Sequence, residues 1–439
     1  MTALRALARP EAYRRCAEDI GVQLEQRLQV PETAGAAERL DAVERILLND
    51  CASLVPRIMP APAVGMAMLA LAERLLGKDA EPEEFQTVMR SLPHNVTTEM
   101  DLELWRLAMR IREDAAAVRA LRENSTDELA RQFRSGRLRG VVQEGVAEFL
   151  AVYGHRAVAE IDLGLPRWSE DPRHILGVLA NYLQLDDAER APDAVFARGV
   201  DEAHAMIETL VARSRRRSGI RARLVRFGLE RARALVGLRE LPKYYVVMVL
   251  TAVRRQLAIV GAELVACGRI ERADDVFFIN LREARAGLGG LDLRKTVAER
   301  REAYDVQIRR RHVPRILLSD GTEPEALCVT AVVSEGSLSG TPASAGCVTG
   351  TARVILDPVG AKLQPGEILV VPSTDPGWTP LFLTAGGLVM EMGGANSHGA
   401  VVAREYGIPA VVGVPEAASR IRSGQRIIVD GSAGTVRVA

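Results

Sequence analysis

The residue of greatest chemical interest in this 439-residue chain is His398, set in the string Gly393-Gly394-Ala395-Asn396-Ser397-His398-Gly399-Ala400. Leu388-Val389-Met390 reads as a buried strand, and Gly393-Gly394 lets the backbone turn sharply after it, because glycine reaches positive φ without steric cost. Asn396 or Ser397 can then cap a helix by accepting from its free N–H groups. Gly407 closes that helix and Pro409 forbids its continuation, which limits it to roughly two to three turns. Free amides and aligned peptide dipoles favour an anion at a helix N-terminus by roughly 0.3 to 1 kcal/mol. An imidazole placed there can attack a phosphoryl group, and the charge it takes on then lies against the same amides.

A second constellation is Arg239-Glu240-Leu241-Pro242-Lys243. Arg239 and Lys243 are four residues apart, so on one continuous helix they share a face and could clamp a phosphoryl group in transfer. Pro242 leaves another geometry open, since proline also marks the first turn of a new helix, which would separate the two cations. Ser344, Thr374 and Asp375 lie in turn-rich segments and can be read either as turn chemistry or as support near a phosphate. Thr97-Thr98-Glu99-Met100-Asp101 reads as a helix start with threonine as cap, and His155, Arg156, Glu160 and Asp162 as a buried polar network. His94, His155 and His174 lack the tight spacing of zinc ligands, so no protein-bound metal is expected.

The elements that must position these groups fall into two classes. Before residue 330 amphipathic runs dominate, as in Gly65–Leu76, Asp101–Ile111 and Tyr244–Cys267, with apolar residues at three- and four-residue spacing. After it come short strands, Thr351–Ile355, Glu367–Pro372 and Ala410–Val414, a short helix over Pro415–Ile421, and a terminal hairpin of Arg426–Gly431 with Thr435–Val438. The expected fold is multidomain: a mostly α-helical N-terminal domain over 1–318, a linker over 319–339, and a small α/β domain over 340–439. Its length suits two or three domains of roughly 100 to 200 residues.

The C-terminal string resembles the phosphohistidine loop of the swivelling domain in the phosphoenolpyruvate-utilising enzymes, which include phosphoenolpyruvate synthase, pyruvate phosphate dikinase and rifampicin phosphotransferase. The resemblance rests on Gly393-Gly394, Ser397-His398, Ala400, Ala403-Arg404 and Gly407-Ile408-Pro409-Ala410. It implies that His398 carries phosphate, that Gly393, Gly394, Ser397, Ser344, Thr374 and Asp375 surround it, and that the domain swivels. Leu92–Leu102, and Tyr153-Gly154-His155-Arg156 with Glu160, Asp162, Pro166, Arg167 and Trp168, are similar to the substrate domain of the rifampicin phosphotransferases. By the same resemblance Arg239 and Lys243 support transfer to the acceptor. The order of segments follows the branch in which the histidine domain comes last, so pyruvate is not the expected substrate.

No Gly-rich nucleotide loop precedes residue 90. The family pattern therefore implies no firmly bound cofactor here, with ATP and magnesium on a partner ATP-grasp domain or subunit. The expected role is a phosphotransferase module delivering phosphate from His398 to a hydroxyl of a small organic acceptor. The alternative is an inactive relative kept as a binding or regulatory subunit.

Composition bounds these readings. With 57 basic and 57 acidic residues the net charge is zero, which argues against a general polyanion partner. The segment 213–239 carries ten arginines against the single acid Glu230, yet few aromatics interleave with them, so a nucleic-acid partner is not expected. Tyr244–Val253 is the longest uncharged apolar run and is far short of the roughly 20 residues a membrane span needs. The N-terminus has no apolar signal core and five scattered cysteines suggest no disulfide framework, so a reducing cytoplasm is the expected location.

Overall fold

The computed structural model describes residues 3–185, 188–310, 316–322, 337–395 and 397–439. They form two compact units, one of Met1–Gln23, Ser53–Met248 and Gly336–Ala439, the other of Leu24–Ala52 and Val249–Glu335. The helical body expected over 1–318 is therefore divided, and the first unit also holds the C-terminal sheet. Most of the linker expected over 319–339 lies outside the described residues. Its end, Ser337–Ser339, is a strand.

In the first unit, helices bury stripes set by their periodicity. Helix Val96–Arg112 turns Thr97, Met100, Asp101, Leu104, Ala108 and Ile111 inward, the three- and four-residue spacing of one face. Its cap is Asn95 and not a threonine: Asn95 Oδ1 accepts from the amides of Thr97 at 3.1 Å and Thr98 at 3.4 Å. The side-chain amide of the residue just before the helix reaches the first-turn donors, which leaves the Thr98 hydroxyl for another partner. This helix packs with Gly140–Tyr153 and Arg173–Tyr182 around Trp105, Phe149, Trp168 and Tyr182. A neighbouring core joins helices Pro60–Leu76, Pro82–Val88, Pro192–Arg215 and Gly219–Val236 through Leu69, Val88, Leu210, Val225 and Leu229. Many of the arginines of 213–239 serve this packing. Arg213 pairs with Glu84 and Arg226 with Glu208, while buried Arg233 donates to the carbonyls of Val88, Arg90 and Ser91.

The C-terminal sheet contains β1 (Ser337–Ser339), β2 (Thr341–Ser344), β3 (Cys347–Val354), β4 (Ile368–Val371), β5 (Gly387–Met390), β6 (Ala410–Val412), β7 (Arg426–Asp430) and β8 (Thr435–Val438). Their order is β1-β8-β7-β3-β4-β5-β6-β2, with β3, β4, β5 and β6 parallel and the other pairs antiparallel. Two strands thus run through Gly340–Gly350, where turns were expected. Cys347–Thr351 pairs with β7, so the partner strand overrides the local preference of Gly350. Side chains alternate across the sheet. Leu369, Val371, Leu388, Met390, Ala410 and Val412 meet the helix His398–Glu405 and the turn Thr379–Phe382 on one face. Ile368, Val370, Val389 and Val411 meet Ala417, Ile421, Ile427 and Val429 on the other. Burial on both faces explains why these parallel strands read as unbroken apolar runs.

The second unit gathers helices Ala36–Arg45, Leu281–Leu288 and Arg294–Ile308. Its buried Arg39 bonds to Gln256 and to the carbonyls of Ala34 and Glu32, and Asp50, with a fully buried side chain, pairs with Arg27 at 2.8 Å. Two helical stretches, Ala36–Asp79 and Gly219–Ala266, are long and apolar enough to cross a membrane by length and composition, and buried core helices meet the same two measures.

The sheet face under His398 should be the costly place to lose volume. Leu369→Ala is expected to lower unfolding free energy by about 2 to 5 kcal/mol. Leu356→Ala, at a side chain that is 70% exposed, should stay within about 0.5 kcal/mol of the parent. Urea midpoints with unchanged slopes measure both.

Candidate active site

The site starts where β5 ends. Gly393 takes φ +128°, and a Cβ there would meet Met390 Cε at 2.8 Å and Ser397 Oγ at 2.9 Å, so the turn is both conformationally and sterically a glycine position. Ser397 occupies the position before the helix, but its hydroxyl donates back to the Gly394 carbonyl at 2.8 Å and caps nothing. The expected serine cap is corrected accordingly: Ser397 closes the loop and does not compete for the first-turn amides. Asn396, the other expected cap, lies outside the described residues. The helix His398–Glu405 follows, ended by Gly407 at φ +65° with the Ile408 amide returning to the Ala403 carbonyl at 2.8 Å.

His398 is therefore the first residue of its helix, with a side chain 14% exposed. Its Nε2 lies 3.1 Å from Thr379 Oγ1 and its Nδ1 3.7 Å from Glu240 Oε2. A carboxylate facing Nδ1 favours the proton on that nitrogen, which leaves the Nε2 lone pair to accept the threonine hydroxyl. Burial works against ionisation of Glu240, but His398, Arg239 and Lys243 outweigh it and hold the carboxyl down at about 2. Glu240 is thus the anion that orients the ring.

The two expected cations lie on successive helical elements. Arg239 ends in a tight turn, Gly237–Glu240, and Lys243 begins the next helix, Leu241–Ala266, just after Pro242. Both still reach the site's surroundings through acids: Arg239 Nη2 is 3.4 Å from Glu240 Oε1, and Lys243 Nζ is 3.1 Å from Glu160 Oε1. Glu160 is itself buried and accepts from Arg156 Nε at 2.7 Å, as a buried polar network requires.

The remaining expected residues take structural places. Asp375 accepts from the amides of Ala159 at 2.6 Å and Gly377 at 2.7 Å, joining the sheet's loop to the helical part. Thr374 Oγ1 lies 3.2 Å from Met390 Sδ and under Gly399, where a Cβ would meet it at 2.4 Å. Ser344 is buried and donates to the Ala403 carbonyl at 3.3 Å, beneath the second half of the helix and away from the His398 end. Gly394 supplies the carbonyl that holds Ser397.

Three contributors were missed from sequence. Thr379 meets Nε2; Asn95 Nδ2 donates to both Glu405 oxygens at 2.8 and 2.9 Å; and Thr98 Oγ1 donates to Glu405 Oε2 at 3.0 Å. Burial raises the Glu405 carboxyl to about 7, with the nearby charge of Glu240 adding to the rise and Thr98, Asn95 and Arg239 opposing it. Beside these groups opens a cavity of about 220 Å³, walled by Met66, Leu69, Phe85, Met89, Leu92 and Val401 and edged by Arg239, Glu240, Arg404 and Glu405.

Comparison with known families agrees with this arrangement. Residues 57–240 match the rifampicin phosphotransferase fourth domain, and residues 363–434 match the mobile domain of PEP-utilising enzymes. The chain thus carries the mobile domain of PEP-utilising enzymes and is similar to rifampicin phosphotransferases over most of its length. It is 35% identical to a rifampicin phosphotransferase of Streptomyces sviceus over 82% of this chain and 41% of that one. Against the Bacillus subtilis enzyme of the same name it is 31% identical over 91% of this chain and 46% of the relative. The prodigiosin synthesizing transferase PigC of Serratia marcescens is 30% identical over 99% of this chain and 48% of its own length. The chain thus spans less than half the length of these family members.

The coupled carboxyls give a direct test. In a carboxyl-carbon NMR titration, Glu405 should titrate near 7 and Glu240 near 2. Removing the like charge with Glu240→Gln should lower the Glu405 value, whereas an unchanged value would show that the two do not sense each other.

Proposed function

We propose that this chain is a phosphotransferase module that carries a phosphoryl group on His398 Nε2 and delivers it to a hydroxyl of a small, largely apolar organic acceptor. The observation that supports it most is the pairing of an oriented imidazole with an apolar cavity edged by the same Glu240 and Arg239. On charging, the Nε2 lone pair forms the N–P bond as the donor's bond to phosphorus breaks, and the ring, still protonated on Nδ1, gains positive charge. Glu240 stabilises that charge. On transfer, the acceptor oxygen bonds phosphorus, the N–P electron pair returns to Nε2, and Nε2 takes the hydroxyl proton. Arg239 and Lys243 would then stabilise the moving phosphoryl charge once they exchange their carboxylate partners for it.

The donor in this reading is ATP with magnesium, bound by an ATP-grasp domain or subunit, and the sheet domain would swing between that donor and the acceptor. Swinging separates charging from transfer and limits loss of phosphate to water. The relatives' names point to different chemistries, rifampicin and prodigiosin synthesis, so the acceptor is argued from the cavity. At about 220 Å³ it is below the ~300 Å³ at which drug-sized pockets begin. The acceptor is therefore small, or only an apolar limb of a larger one enters.

Phosphoramidate, a small donor that loses ammonia as the new N–P bond forms, tests charging without the partner. Intact mass should show one acid-labile phosphoryl group on the parent and none on His398→Ala; an equally labelled His398→Ala protein would end the proposal. Arg239→Ala and Lys243→Ala should still charge but pass phosphate to an acceptor, with rifampicin as the first probe, about 100-fold more slowly.

A further inference from the structure

Glu405 sits at the far end of the helix from His398, about 10 Å along its axis at 1.5 Å of rise per residue. It is nonetheless heavily engaged. Its side chain is 5% exposed and receives three hydrogen bonds, all from residues more than 300 positions earlier in the chain. Asn95 is fixed at both ends of its amide. Oδ1 caps the helix Val96–Arg112, which forces Nδ2 toward Glu405. Arg239, Glu240, Asp101 and Arg404 are charged groups that sense this carboxylate, and the Tyr406 hydroxyl senses it too.

We propose that Glu405 is a positioning residue: Asn95 and Thr98 grip it to hold the His398 helix with its imidazole beside the acceptor cavity. The assignment rests on the phosphocarrier reading for its purpose, but the grip itself can be tested without phosphate. A carboxylate is the right end group because it accepts from both donors at once, and a helix cap is the right anchor because its side chain is already immobile. Asn95, Glu405, Arg239 and Glu240 all border the cavity, so the anchor sets the position of one cavity wall as well as of the helix.

The test reverses donor and acceptor. Asn95→Asp keeps the cap, since aspartate caps as well as asparagine, but sets a second carboxylate against Glu405. Hydrogen exchange of the segment 398–405 in the full chain should rise about tenfold. Adding Glu405→Gln to the same protein restores one donor and one acceptor across the gap, and exchange should return to within about threefold of the parent. Phosphoramidate charging of His398 should be equal in all these proteins, while transfer to an acceptor falls in the single variant and recovers in the double. Should Asn95→Asp fail to fold, Thr98→Val deletes one donor and leaves the cap intact, with a several-fold rise expected. Unchanged exchange in Thr98→Val and Asn95→Asp, or a double variant as fast as the single, would overturn the anchor. Failure of the parent to charge would instead remove the role of His398 and leave the exchange result standing.

Discussion

A helix of eight residues cannot hold itself, because isolated helices shorter than roughly 12 residues are marginal in water. Every property of this site therefore depends on how the helix His398–Glu405 is fixed from outside. Its floor is the sheet: Ala400, Val402 and Ala403 pack against Leu388, Met390, Ala410 and Val412. Its start is pressed against Thr374 and Met390 at Gly399, a contact no larger residue permits. Toward its end Arg404 donates to the Ala343 carbonyl at 3.1 Å, and Glu405 reaches across to Asn95 and Thr98. The imidazole is rigid because the element bearing it has no freedom of its own.

Two carboxyls near one another illustrate how the environment divides labour. Both are shielded from water, yet Glu240 is held at about 2 and Glu405 at about 7. Glu240 has the His398 ring and the cations Arg239 and Lys243 around it, whereas Glu405 is met mainly by neutral donors and by the like charge of Glu240. Groups pushed apart in this way take different jobs. Glu240 stays an anion and can stabilise charge on the ring. Glu405 sits near the midpoint of its titration at neutral pH, so its grip does not require a permanently buried charge, which would carry a heavy desolvation penalty.

Local chemistry made part of this legible in the sequence. The strand before His398, the glycine turn and the short helix closed by Gly407 all follow from neighbours along the chain, and the observed elements fall where those signals lie. The terminal hairpin was legible for the same reason. What stayed hidden is what depends on distant partners. The turn-like stretch Cys347–Gly350 becomes strand because β7 pairs with it, and Ser397 spends its hydroxyl on the Gly394 carbonyl and not on a cap. Asn95, Glu240 and Glu405 all stood inside motifs singled out for other members. Nothing in one chain reveals that residues 95 and 405 meet. The division of the helical part into two units was equally invisible, since amphipathic periodicity states which face is buried and not against what.

The pairing of Arg239 and Lys243 with separate acids changes how the two cations can act. Unpaired, they would form a clamp open to phosphate at all times. Instead each is tied to an acid, Arg239 to Glu240 and Lys243 to Glu160, so an arriving phosphoryl group must compete with a carboxylate for each. The competition is uneven. Glu160 is fully buried and also holds Arg156, so Lys243 is tied to an acid that cannot follow it. Glu240 faces the Nδ1 side of the ring, away from the nitrogen that carries phosphate on the phosphocarrier reading, and its contact with Arg239 is the longer of the two at 3.4 Å. Arg239, on the longer contact and the less buried acid, is then the cation freer to turn to an arriving phosphoryl group.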